Sequence, residues 1–259
     1  MAAVQLVEPR SPAIDKALSI LELLSLHPGG LRMADVAREL ALPKSSTHLT
    51  LEVLRARGYV VRDDNGCHRL GLRLFEIGAR VLQALDVRQV ARPYLETLSD
   101  RTGLTSHLAA LDGHQVVYLD RVDGHGLVRF DTYVGKRASV NLTAVGKAIV
   151  AYLPERQLDE ILRADFRRGT VRAPGRPFDF KAQLREFREL GYMIEDEEEV
   201  PGIYCAAAPL RDASANVVGS VGVIGLKTGL PGGDFRLIGA EVRDTAAAIS
   251  AQLGFVHGT

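Results

Sequence analysis

The residue types best placed to do chemistry lie between Lys44 and Arg69. Lys44, Ser45, Ser46 and His48 bring one cation, two hydroxyls and an imidazole into a single run, with apolar Leu49 directly after. An ammonium neutralises phosphate, and hydroxyls and an imidazole bond to phosphate oxygens or base edges. Arg62 and Arg69 add two cations further along. Such groups act together only if local structure gathers them, and the segment LRMADVARELALPKSSTHLTLEVLRARGYVVRDDNGCHRLG, Leu31 to Gly71, has the pattern to do so. Met33, Val36, Ala37 and Leu40 recur at helical spacing. Ala41-Leu42-Pro43 turns the chain, with Leu42 inward and Pro43 tolerated where a new helix begins. In that second helix Thr47, Thr50, Leu51 and Leu54 form the inner stripe, which leaves Lys44, Ser45, His48, Leu49 and Glu52 outward. Gly58 ends the helix, Tyr59-Val60-Val61 alternates as a strand, and Asp64-Asn65-Gly66 supplies a turn flanked by Arg62, His68 and Arg69. Helix, tight turn, helix and two-stranded hairpin are the order of a winged helix-turn-helix. Its second helix meets the major groove by its first residues, with Arg62 and Arg69 of the wing on the phosphate backbone.

Catalytic patterns are scarce. Gly146-Lys147 has the end of a phosphate-binding loop, but Ala148 replaces the hydroxyl residue and the first glycine is missing. Gly219, Gly222 and Gly225 fall inside a strand pattern and do not make a dinucleotide fingerprint. Neither GxSxG nor HExxH occurs. Cys205, in an apolar strand, reads as a packed thiol, and the acidic run Glu195 to Glu199 as a solvated strand end before a metal site. Strand alternation still turns some of these carboxylates toward a covered face, where each needs a donor that a ligand could provide. No catalytic residue, metal ligand or cofactor is expected.

At 259 residues and 46% apolar composition the chain is long enough for more than one domain with its own core. Lys plus Arg equals Asp plus Glu, 32 each, so whole-chain charge does not mark a nucleic-acid binder. From Lys44 to Arg73, however, six basic residues face three acidic ones, a modest footprint that suits a module acting as a dimer. Cys67 and Cys205 are too isolated for a disulfide framework or a zinc finger and fit a reducing compartment. No run of eighteen apolar residues and no signal-peptide core is present, so a soluble cytoplasmic protein without membrane contact is expected.

The chain is predicted to begin with a disordered stretch, residues 1–10, followed by a helix from Ala13 to Leu26. The winged helix-turn-helix domain spans 11–71, a linker helix 72–86, and a C-terminal domain 87–254. In the last, a helix from Val87 to Arg101 precedes strands at Thr105 to Leu111, Gln115 to Val122 and Leu127 to Val134. Helices follow at Thr143 to Leu153, Pro154 to Ala164 and Phe180 to Leu190. Strands return at Tyr192 to Glu197, Tyr204 to Arg211 and Val217 to Leu226, before a final helix from Phe235 to Leu253. Six strands with helices before, between and after them predict an α+β domain built on an antiparallel sheet.

The runs LPKSSTH, GYVVRD, RLGLRL, VVYLDRV, TAVGKA and GYMIEDEE followed by PGIYCAAAP occur in this order over both domains. With them the chain, from about Ser11 to Leu253, resembles the IclR family of bacterial transcriptional regulators. The resemblance implies a GAF-like C-terminal domain that binds a small metabolite, and assembly as a homodimer or a dimer of dimers. It places effector-lining positions on Leu127, Phe130, Ala138, Ala144, Val145, Glu195, Ile203, Cys205, Gly222 and Ile224. Two departures stand out. Members usually carry Arg directly after the recognition-helix His, where this chain has Leu49, which either contacts a thymine methyl or packs against the wing or a partner subunit. Members that hold small 2-oxo acids present serine hydroxyls where this chain has Gly222 and Ile224. The expected pocket is therefore more apolar, walled by Phe130, with Glu195 as its main polar group.

The function these features predict is a DNA-binding transcriptional regulator, a repressor by type, that recognises a near-palindromic double-stranded operator and responds to a small organic effector. Two alternatives stand beside it: an enzyme using Cys205 or Glu195 on the metabolite, and a ligand-independent architectural DNA binder.

Overall fold

The computed structural model describes residues 11–83, 86–126, 128–229 and 235–256. The stretch 1–10, expected to be disordered, lies outside the described residues, as do Leu85 at the end of the expected linker helix and Leu127. Contacts divide the chain into two compact units, 1–84 and 85–259.

The first unit runs α1 (Pro12–Ser25), β1 (Leu31–Arg32), α2 (Met33–Glu39), α3 (Lys44–Ala56), β2 (Val60–Arg62), β3 (Cys67–Leu70) and α4 (Leu72–Gln83). Ile20 and Leu24 of α1 close a core with Val36, Leu51, Leu54 and Val60. The inner stripe of α3 is as the spacing predicts: Thr47, Leu51 and Leu54 are buried, and Thr50 is half-buried. The expected hairpin gains a third strand, in the order β1-β3-β2, because Leu31 and Arg32 pair with His68 and Cys67. Two residues carry no periodicity, so β1 could not be read from sequence. Both helix ends that shape this unit close by the same device. Tyr59 N–H bonds Leu54 O at 2.9 Å and Gly58 N–H bonds Arg55 O at 3.0 Å, with Gly58 left-handed at φ 76°. After α2 the equivalent bonds are Leu42 N–H to Ala37 O (2.9 Å) and Ala41 N–H to Arg38 O (3.2 Å), but the left-handed residue is Ala41, at φ 51°.

The second unit contains α5 (Asp86–Thr102), β4 (Thr105–Asp112), β5 (Gln115–Val122), β6 (Arg137–Ser139), α6 (Ala144–Val150), α7 (Glu155–Ala164), α8 (Pro177–Leu190), β7 (Met193–Asp196), β8 (Ile203–Arg211), β9 (Val217–Leu226) and α9 (Phe235–Gln252). The sheet is antiparallel throughout, in the order β6-β5-β4-β9-β8-β7. One face packs on α5 and α9 through Leu95, Leu98, Tyr204, Val221, Val242 and Ile249. The other packs on α6, α7 and α8 through Val116, Ala148, Ile149, Leu158, Phe180 and Leu184. This is the expected α+β domain with one strand moved. Residues 128–134 form no strand; β6 takes the edge beside β5 instead. The cause is local: the Arg121 guanidinium donates to the carbonyls of Phe130 and Thr132, and Thr132 N–H bonds Phe130 O at 2.8 Å. These backbone groups are satisfied without a neighbouring strand.

Helix α6 positions the interior of this unit. All its residues, including Lys147, are buried, and Thr143 Oγ1 caps it by accepting from Gly146 N–H at 3.2 Å. It lies close on the sheet because Gly222 has no side chain: a Cβ there would stand 2.7 Å from Ala206 O and 3.1 Å from Val145 Cγ1.

Candidate functional site

Two places in the fold hold the predicted residues, one in each unit. On α3, Lys44, Ser45, His48 and Leu49 are exposed on the face opposite the buried stripe, with Leu49 66% exposed. Ser46 is half-buried and its hydroxyl donates to Pro43 O at 3.1 Å, closing the first turn of the helix. Val53, one turn beyond Leu49, is also exposed, so an apolar strip runs along the outer face.

Ion pairing sorts the cations of this unit. Arg55 pairs with Glu52 at 2.7 Å and Arg73 with Glu76 at 2.6 Å. Among the described residues Lys44, Arg57 and Arg62 have no ion-pair partner and stay exposed. Arg69, expected on the phosphate backbone, is exposed and also engaged within its own unit. It pairs with Asp63 at 2.7 Å and donates to Gly29 O at 3.1 Å, while Asp63 accepts from Asn65 and Cys67 N–H and fixes the turn. His68, which flanks the wing turn, is buried: its register opposite Leu31 sets it on the face that packs on the core.

In the second unit a cavity of about 360 Å³ opens beside α6. Ala138 of β6, Ala144 and Val145 of α6, Ile203 and Cys205 of β8, Gly222 and Ile224 of β9, and Phe130 of the preceding loop all line it. Leu127, the remaining loop position expected there, lies outside the described residues.

Glu195 is a correction. It is buried, as alternation predicts, but it is not on the cavity wall. Its Oε1 accepts from the N–H groups of Glu198 (2.5 Å) and Glu199 (3.0 Å) and closes the turn after β7, with Glu197 left-handed at φ 59°. Burial raises its pKa, against the pull of those amide donors. Nor is the acidic run a solvated strand end. Asp196 pairs with Arg172 and Lys227, and Glu198 is buried with Lys147 at 2.5 Å. Only Glu199 of this run reaches the cavity, at its exposed mouth.

The polar groups on the cavity wall came from residues that sequence reasoning missed. His107 and Tyr118 are buried side by side, ring centroids 5.1 Å apart, and His107 Nε2 bonds Thr132 Oγ1 at 2.8 Å. Burial, reinforced by the Arg121 charge, lowers the His107 pKa to about 3, and burial pushes the Tyr118 phenol well up. Both rings are therefore neutral near pH 7. The signal available was a lone histidine in the apolar strand TSHLAAL and a tyrosine in VVYLDRV. At the mouth Lys136 is paired with Asp131 at 2.8 Å. Burial pushes the Cys205 thiol well above its ordinary value, with Glu195 beside it adding to the effect.

An exposed recognition-helix face in one unit and a lined cavity in another define a winged-helix regulator with a ligand-binding domain. Comparison with known proteins gives the family. The profile described as the IclR helix-turn-helix domain matches residues 13–64, and that of the bacterial transcriptional regulator IclR C-terminal domain matches residues 79–251. The chain belongs to the IclR family of bacterial transcriptional regulators. It is 30% identical to the HTH-type transcriptional regulator XynR of Escherichia coli over 249 residues, covering 95% of this chain and 99% of that protein. It is 31% identical to the E. coli repressor AllR over 247 residues, covering 93% and 90%. Among solved structures, the Thermotoga maritima IclR superposes with a TM-score of 0.80 at 28% identity, covering 93% of this chain and 98% of that one. An IclR homologue from Microbacterium hydrocarbonoxydans, solved with 4-hydroxybenzoate, has a TM-score of 0.83 at 23% identity, covering 93% and 98%, and shares the fold.

Proposed function

We propose that this regulator binds a near-palindromic operator as a homodimer or dimer of dimers through Lys44, Ser45, Ser46, His48 and Leu49, with Arg62 on the phosphate backbone. A small organic compound in the α6 cavity then changes that binding. The observation that carries the reading is the outward face of α3, where Lys44, Ser45, His48 and Leu49 stay exposed and Lys44 lacks an ion-pair partner among the described residues. Assembly is supported by apolar side chains left exposed on α1 and α4, Ile14 and Leu18 on the first, Leu72 and Phe75 on the second. The effector role is supported by the cavity itself and by the homologue solved with 4-hydroxybenzoate. Regulation requires the compound to bind two arrangements of the DNA-binding heads unequally; tight binding alone shifts nothing. The reading is non-enzymatic and cytoplasmic: Cys205 is held as a thiol and Glu195 is spent on backbone amides. Among the described residues no helix is long and apolar enough to cross a membrane.

Gel shifts with the upstream regions of neighbouring genes test it. A preferred region with half-sites about 34 Å apart, or a multiple of that, is expected. Lys44→Ala should lower the salt slope of binding by about one unit without altering sequence preference. Equal affinity for every upstream region and for random DNA would overturn the regulator reading.

A further inference from the structure

The inner wall of the cavity constrains what it can hold. The cations nearest to it are all committed: Arg121 to the Phe130 and Thr132 carbonyls and to Asp123, Lys147 to Glu198, and, on the exposed rim, Arg129 to Asp123 at 3.3 Å and Lys136 to Asp131. What faces the interior is neutral. The Tyr118 hydroxyl has no hydrogen-bond partner among the described residues, although the side chain is more than nine-tenths buried. His107 spends Nε2 on Thr132 and leaves Nδ1 without a partner among the described residues. Both groups lie on the cavity wall, and apolar Phe130, Val145, Ile203 and Ile224 surround the remaining space. A carboxylate moved there from water would lose its hydration without meeting a free cation, whereas a neutral group that donates and accepts would satisfy both orphans. The cavity, about 360 Å³, is roughly twice the ~150 Å³ that holds a benzene ring, so a substituted or fused ring fits.

We propose that the compound held in this cavity presents an uncharged hydrogen-bonding group, an amide or hydroxyl carried on a ring, to the Tyr118 hydroxyl and His107 Nδ1. This assignment rests on the effector reading above and names the ligand class for it.

The test uses matched pairs of equal shape on the full-length protein at pH 7.5: benzamide against benzoate, and 2-naphthamide against 2-naphthoate, followed by thermal shift and ligand-observed NMR. The amides should bind at least tenfold more tightly than their carboxylates. Tyr118→Phe, which removes only the hydroxyl, should weaken the amides about three- to tenfold and leave the melting temperature of the free protein nearly unchanged. If that variant does not fold, His107→Gln serves with the same expected loss. Carboxylates binding as well as amides would overturn the ligand class and leave the effector cavity standing. Unchanged amide affinity in Tyr118→Phe would also overturn the assignment. Binding by no member of either pair at millimolar concentration would overturn both the ligand class and the cavity reading.

Discussion

Lys147→Met tests whether the buried Lys147–Glu198 pair secures the wall of the cavity. Lys147 is fully buried on α6, Glu198 is 5% exposed in the turn after β7, and their atoms meet at 2.5 Å. Burial alone pulls the lysine toward its neutral form, and the charge and hydrogen bond of Glu198 oppose that pull. Gln183 of α8 donates to the same Glu198 oxygen at 2.9 Å, while Oε2 has no partner among the described residues. Removing the ammonium therefore strands a buried carboxylate with one amide donor. Such a loss typically costs about 3–5 kcal/mol, whereas replacing both charges by apolar groups is often close to neutral. In a domain of this size the single change should lower the melting temperature by roughly 6–20 °C. Lys147→Met combined with Glu198→Met should recover at least half of that, with the lost Gln183 bond limiting the recovery. Thermal melts followed by circular dichroism, at one protein concentration for all three chains, read the difference. A single variant melting within a degree or two of wild type, or a double variant as unstable as the single, would show that the pair does not hold the turn that carries Glu199 and Val200 onto the cavity.

Leu49→Arg should add one phosphate contact, raise the salt slope of non-specific binding by about one unit and shift the preferred base beneath it; binding-site selection that returns the wild-type motif at unchanged affinity would place Leu49 off the DNA. Ala41→Gly should raise the melting temperature of the first unit by a few degrees. The left-handed alanine costs about 1–2 kcal/mol, and the added freedom of glycine in the unfolded chain cancels only part of the gain. A fall instead would mean that the Ala41 methyl makes contacts worth more than the strain. His107, neutral in the fold with a pKa of about 3 against 6.5 in the unfolded chain, contributes stability that is complete above pH 6.5 and lost as pH falls toward 3. Between pH 7.5 and 5 this loss should reach about 2 kcal/mol, and it should be missing from His107→Gln in urea unfolding at the two pH values. Parallel losses in both chains would refute the buried neutral imidazole.

The fold was legible wherever the pattern is local. The α3 stripe of Thr47, Leu51 and Leu54, the Gly58 stop and the Pro43 start each depend on spacing or on one residue's backbone preference, and each appears in place. Where the structure departs, a bond that residue spacing does not show decided the matter. Residues 128–134 alternate well enough to suggest a strand, but the Arg121 guanidinium occupies carbonyls that a neighbouring strand would have used. Two residues pair as β1 only because His68 lies opposite Leu31. Arg69 reads as an exposed cation beside a turn, and only the fold brings Asp63 and the Gly29 carbonyl to it.

The cavity shows how far such reading reaches. Strand parity turned Glu195 away from solvent correctly, yet it could not say that the donors waiting there were the amides of Glu198 and Glu199, since a backbone N–H has no residue type. Its role is consequently one step removed: by closing the turn it helps set Glu199 at the mouth. His107, Tyr118 and Thr132 are single polar residues in three separate segments, each unremarkable where it stands. Antiparallel pairing of β4 with β5 sets the two rings 5.1 Å apart, and the loop pinned by Arg121 delivers Thr132 to the imidazole. Phe130 and its companions, placed by the family resemblance, gave the apolar outline of the cavity. The hydrogen-bonding groups are ones that only the folded chain brings together, so a resemblance that outlines a pocket cannot name its ligand.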